Sequence, residues 1–132
     1  MNDRGPRLEE LAKDPAHDGK VSEKSLHEAS VALALEESGR LKGPIRRDPR
    51  PSGGDFIDQD GNVWDIKSFD SRWPPRKGGF VLERDILKIS EELKKGEHII
   101  LDTTNLTASH AKDLREAVAS RGWVGRILWY PD

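Results

Sequence analysis

Apolar residues recur along this chain in two periods. Between Ser22 or Ser25 and Gly39 they fall at Leu26, Ala29, Val31, Ala32, Leu33, Ala34 and Leu35. At about 100° per residue these positions cover nearly the whole circumference, which predicts a helix buried on more than one side. Ser22 has N-cap chemistry, and Gly39 stands where a helix commonly stops. A second helix is predicted from Leu82 to Lys95, with Ile86, Ile89 and Leu93 on one face and Gly96 as the stop. Thr107 caps a third, which carries Ala111, Leu114 and Val118 at the same spacing. The period changes to two over Asp55–Phe69, where apolar and polar residues alternate on both sides of Gln59-Asp60-Gly61, the signature of a β-hairpin. His98–Asp102, with Ile-Ile-Leu at its heart, reads as a short buried strand, and Gly125–Tyr130 as the last one. Hairpin, helix, strand, helix, strand is an α/β order with parallel pairing after the hairpin.

Punctuation divides the rest. Residues 1–21 carry Gly5, Pro6, Pro15 and Gly19 and read as a flexible or partly helical leader, leaving 22–132 as a single domain. Two loops flank the hairpin. Arg40–Gly54 holds Gly43, Pro44, Pro49, Pro51, Gly53 and Gly54; Asp70–Gly79 holds Pro74, Pro75, Gly78 and Gly79. Both are basic: Arg46, Arg47 and Arg50 precede the hairpin, and Arg72, Arg76 and Lys77 follow it, with Trp73 and Phe80 nearby. Basic side chains supply most non-specific affinity for nucleic acid, and aromatic rings stack on bases, so these six cations are candidate phosphate contacts.

The 132 residues carry 22 Lys+Arg against 24 Asp+Glu, and the formal net charge of −2 conceals this clustering. There is no cysteine, which excludes disulfides, thiolate metal sites and a cysteine nucleophile. The longest apolar run, Val31–Leu35, falls far short of the roughly 18 residues of a membrane helix. Met1–Lys13 is charged and lacks the apolar core of a signal peptide.

The register of the hairpin decides its chemistry. A two-residue Asp60-Gly61 turn sends Asp55 and Asp65 to opposite faces. A three-residue Gln59-Asp60-Gly61 loop, with Gly61 left-handed, pairs Asp55 with Asp65 and is the register expected here. Asp55, Ile57, Val63, Asp65 and Lys67 then share one face, and Phe56, Trp64 and Ile66 face the core. Two carboxylates meeting across a ladder repel, and a divalent cation such as Mg²⁺, which takes carboxylate and phosphate oxygens, gives a reason to keep them. Lys67 shares the face and can orient a water or stabilise phosphate charge.

Asp55 followed by Asp65-Ile66-Lys67 resembles the PD-(D/E)xK nuclease superfamily, the restriction-endonuclease-like fold. The resemblance implies a metal-dependent nuclease in which Asp55 and Asp65 bind the metal (Mg²⁺ first, with Mn²⁺ or Zn²⁺ as alternatives). It also implies a glutamate from the preceding helix. Glu28, Glu36 and Glu37 are the candidates, and Glu36, beside Ala29 and Ala32, ranks first. Gly54 stands where that family has Pro, a position that is not a ligand. The stretch Glu36–Phe80, with Leu-Lys-Gly-Pro-Ile, Asp-Phe-Ile-Asp, Trp-Asp-Ile-Lys and Trp-Pro-Pro-Arg-Lys-Gly-Gly-Phe, is similar to C-terminal toxin domains of bacterial polymorphic and contact-dependent growth inhibition toxins. That similarity implies a nuclease carried at the end of a secreted or cell-surface exoprotein, acting in the cytoplasm of a competing cell on DNA or tRNA, with DNA placed slightly ahead. It also implies a cognate immunity protein, with export signals at the far end of a longer parent.

The remaining polar residues read more plainly. Asp58 and Asp60 have the chemistry of a turn. Asp102 ends a strand, where it either borders a site or bonds the loop backbone. His17, His27, His98 and His110 lack metal-ligand spacing and read as structural or surface residues. A non-catalytic nucleic-acid-binding or protein-interaction domain, and a metal-independent RNase using a histidine, are the rival readings.

Overall fold

The computed structural model describes residues 4–50 and 53–131; Met1 and Pro51, both named above, lie outside them. Two compact units divide the chain, Met1–Trp64 and Asp65–Asp132. In the first of them, α1 (Arg4–Ala12) packs on α2 (Glu23–Glu37) and buries Leu11 and Ala12. The helical part of the segment read as a leader thus contributes to a core.

In the first unit, Ser22 caps α2 in a reciprocal box: its hydroxyl accepts from Ser25 N, and Ser25 Oγ accepts from Ser22 N. Ala29, Val31, Ala32, Leu33 and Leu35 are all buried, as an apolar circumference requires. The glycine-rich segment that follows contains a strand absent from the sequence reading, β1 (Arg46–Arg47), antiparallel to β2 (Phe56–Ile57). β2 in turn pairs antiparallel with the start of β3 (Val63–Asp70). Phe56 faces Trp64 and Ile57 faces Val63, the register of the three-residue loop. The turn is built as predicted. Gly61 is left-handed at φ 84°, and the Asp58 carboxylate accepts from Asp60 N, Asn62 N, Asn62 Nδ2 and the Trp64 indole. Burial works to raise the Asp58 pKa, but the Trp64 and Asn62 donors outweigh it and hold it below the usual value.

The second unit continues β3 and adds α3 (Leu82–Lys94), β4 (His98–Asn105), α4 (Ala108–Ser120) and β5 (Ile127–Tyr130). The five strands follow chain order in one mixed sheet, and β4 and β5 run parallel. The fold class is α/β. Ile86, Ile89 and Leu93 of α3 pack with Ile99 and Leu101 of β4, Leu114 and Val118 of α4, and Ile127 of β5. A 3-10 turn over Val124–Arg126 delays the last strand to Ile127. Thr107 caps α4 through His110 N, as its sequence position predicts. No helix among the described residues is long and apolar enough to cross a membrane.

Candidate functional site

In the first unit the carboxylates singled out from sequence are matched by arginines. Glu36 receives both guanidinium nitrogens of Arg7, at 2.5 and 3.1 Å, and Ile45 N at 2.8 Å. Its carboxylate ties α1 and the post-helix loop to α2. Arg47 is also turned inward. Its side chain is only 8% exposed, lies 3.2 Å from Glu28 and 3.7 Å from Asp55, and sits over the Phe56 ring. Its Nε also donates to Leu11 O. These contacts tie α1, α2 and the chain at Asp55 together. Asp55 borders a polar cleft of about 160 Å³ lined also by Glu28, Arg47 and Asp48. Arg50 clasps the buried Asp48 through Nε and Nη2, and this hydrogen bonding is the main cause that lowers the Asp48 pKa. Arg46 is exposed on β1.

The second unit brings Asp65 and Lys67 together on β3. Alternation buries Trp64 and Ile66 and leaves Asp65 and Lys67 half-buried. Lys67 Nζ lies 3.0 Å from Asp65 Oδ2 and 3.7 Å from Glu92 Oε1. Two residues missed in the sequence complete the group. One carboxylate oxygen from each of Asp65, Glu92 and Glu97 lies within 4.8 Å of the others. The end of α3 explains the glutamates. Gly96 is left-handed at φ 87°, Gly96 N donates to Leu93 O, and Glu97 N donates to Glu92 O. This is a Schellman closure, and it juxtaposes Glu92 and Glu97 at positions where helices commonly place an apolar contact. Arg126 holds the connection from outside, donating to Leu93 O at 2.9 Å and to Glu97 O. The legible signal was the helix stop Gly96 with Glu one residue after it and four before it.

Glu97 is only 7% exposed, and its Oε1 has no hydrogen-bond partner. Burial, then the hydrogen bond and charge of Glu92 and the charge of Asp65, push its pKa up to about 7. Glu92 moves the other way. Burial opposes its ionisation, but Lys67, the Glu97 hydrogen bond and Lys95 together lower its pKa. The second unit therefore holds a carboxyl–carboxylate pair, a third carboxylate and two close ammoniums, Lys67 and, at 3.4 Å from Glu92, Lys95. A divalent cation suits that donor set, because its charge replaces the shared proton and answers the surplus acid.

The other predicted residues of this unit are placed as follows. Arg72 is exposed, but its guanidinium grips Asp70, whose pKa this bond lowers most. Arg76 and Lys77 are exposed in a 3-10 turn over Pro75–Lys77. Asp102 accepts from Thr104 N, Thr104 Oγ1 and Ser68 Oγ, so of its two readings the loop-bonding one holds. His110 Nδ1 lies 2.7 Å from Ser71 Oγ and its ring packs on Phe80. No protein-family model, curated protein or solved structure matches the chain.

Proposed function

We propose that the chain is a metal-dependent nuclease with a restriction-endonuclease-like core, a toxin domain of a larger exoprotein that acts in a competing cell and is neutralised by an immunity protein. What supports the reading is the meeting of Asp65 and Lys67, at 3.0 Å, with Glu92 and Glu97 in one half-buried carboxylate group. Asp65, Glu92 and Glu97 would hold the cation, which in such sites polarises a phosphoryl oxygen and acidifies a bound water. Glu97, the residue with the raised pKa, gives up its proton as the ligand set forms. Lys67 keeps its ammonium beside Asp65, where it orients the incoming water and stabilises charge that develops on phosphate oxygens. The oxygen of water would bond to phosphorus as one P–O ester bond breaks, and the proton the water loses would pass through solvent to the departing ester oxygen. Asp55, assigned to the metal by the PD-(D/E)xK resemblance, is bound to Arg47 and stands outside this ligand set.

The test incubates the protein with plasmid DNA and with total tRNA, in Mg²⁺, Mn²⁺, Zn²⁺ or EDTA, beside Asp65→Ala and Lys67→Ala. Metal-dependent cleavage of one substrate is expected, falling at least about 100-fold in both variants. Melting in excess Mn²⁺ should rise for the wild-type protein and not for Asp65→Ala. Cleavage that survives EDTA, or a fully active Asp65→Ala, would overturn the reading.

A further inference from the structure

We propose that the loop Ser71–Gly79 is a stacking platform for unpaired nucleotides, with Trp73 as the base-facing ring and Arg76 and Lys77 as phosphate contacts. The inference rests on nucleic acid being the substrate and names its class: single strands or loops in preference to duplex. Trp73 is 56% exposed, the most open aromatic ring in the described chain. An exposed tryptophan on a loose loop would mean little, but this one is held. The carboxylate of Asp70 grips the Arg72 guanidinium and backbone N–H, which fixes the chain directly before the ring.

The loop around it is closed at both ends. At its start, Ser71 N donates to Asn105 O, and the Ser71 hydroxyl meets His110 Nδ1 and Thr107 N. At its end, Gly79 N donates to Pro74 O and Phe80 N to Asp70 O, while Arg84 bonds Gly79 O and Pro75 O. Gly79 passes so close that a Cβ there would lie 1.7 Å from Trp73 O, so only glycine closes this turn. A ring fixed before binding loses little entropy on contact.

Charge favours the same occupant. The sequence Ser-Arg-Trp-Pro-Pro-Arg-Lys-Gly-Gly contains three cations and no acid. Of the three, Arg72 is spent on Asp70, whereas Arg76 and Lys77 are exposed. Duplex bases are already stacked on their neighbours, so a single tryptophan face gains most from a base that is not. Along β3 the five steps from Asp65 to Asp70 span about 17 Å, a distance that a few nucleotides of a bound strand would cover.

The test measures anisotropy of labelled oligo(dT), oligo(U) and a duplex of the same length, about 12 nucleotides, all in EDTA so that nothing is cut. Single strands are expected to bind more tightly than duplex. Trp73→Ala should weaken single-strand binding by about 5- to 150-fold and leave duplex binding unchanged, with Trp73→Phe keeping most of it. The Arg76→Ala/Lys77→Ala pair should reduce the slope of log affinity against log salt by about 1.4. Equal binding of duplex and single strand, or a Trp73→Ala protein that binds like wild type, would overturn it. Because no metal is present, binding without later cleavage would count against the hydrolase alone, and cleavage without single-strand preference against the platform alone.

Discussion

Two groups of carboxylates, one in each unit, meet their charge in different ways. In the first, Glu36 meets Arg7, Glu28 and Asp55 share Arg47, and Asp48 meets Arg50. Each of these four acids has a guanidinium, a group that stays charged at any accessible pH. In the second, Asp65, Glu92 and Glu97 gather three carboxyl groups against two lysines, Lys67 and Lys95, and one of the three keeps its proton to about pH 7. Matched pairs are scaffolding, because removing either member strands the other. A group with surplus acid is unfinished, and a proton or a cation completes it.

That contrast can be broken most forcefully at Arg47. Replacing it with Ala strands the buried Glu28, and urea unfolding should show a loss of about 3–5 kcal/mol. A loss below about 1 kcal/mol would mean that the first unit does not depend on its pairing.

Glu97→Gln should act in the reverse sense. Between its usual value of 4.5 and about 7, the unfolded chain releases the Glu97 proton while the folded chain keeps it. Stability therefore declines as pH rises through that window and levels off above it, by up to about 3 kcal/mol. The Gln variant lacks this decline, so it should be more stable than wild type at pH 8 and similar at pH 4, as read by melting in EDTA. Glu92, with its lowered pKa, adds stability that is lost only as pH falls below the ordinary carboxylate range. A wild-type protein with no decline between pH 5 and 7 would remove the distinction between the units.

The smallest effect is expected at Lys42, whose ammonium lies 3.3 Å from Asp60 with both side chains largely exposed. Lys42→Ala should change stability by less than about 1 kcal/mol, and less still in high salt. A larger loss would show that pairing matters at the surface of the first unit as well as inside it.

Much of the fold was legible because it is local. The Ser22 and Thr107 caps, the Gly61 turn and the apolar spacing of α3 each depend on residues a few positions apart. The pairing of Asp65 with Lys67 was legible for the same reason. The partner of Glu36 was not legible, because the apolar face of α2 says that a polar residue there is conspicuous and says nothing of what arrives. Arg7, from a segment read as a leader, is bonded to it. The burial of Arg47 was hidden for a related reason: a cation in a basic loop looks solvated until a strand such as β1 carries it inward. Glu92 and Glu97 were within reach, since the closure at Gly96 is a local rule. They went unread because that rule ordinarily brings together apolar side chains.

The closure at Gly96 also orders events in time. Glu92 and Glu97 meet as soon as the last turn of α3 forms, within one short segment of chain. Lys67 and Asp65 belong to a strand that must dock from elsewhere in the sequence, a slower, non-local step. The nascent helix end carries this acidic pair with one local counter-charge, Lys95, 3.4 Å from Glu92. Docking of β3 adds an ammonium and one more acid, so the excess of one carboxyl group outlasts folding and a proton or a cation answers it.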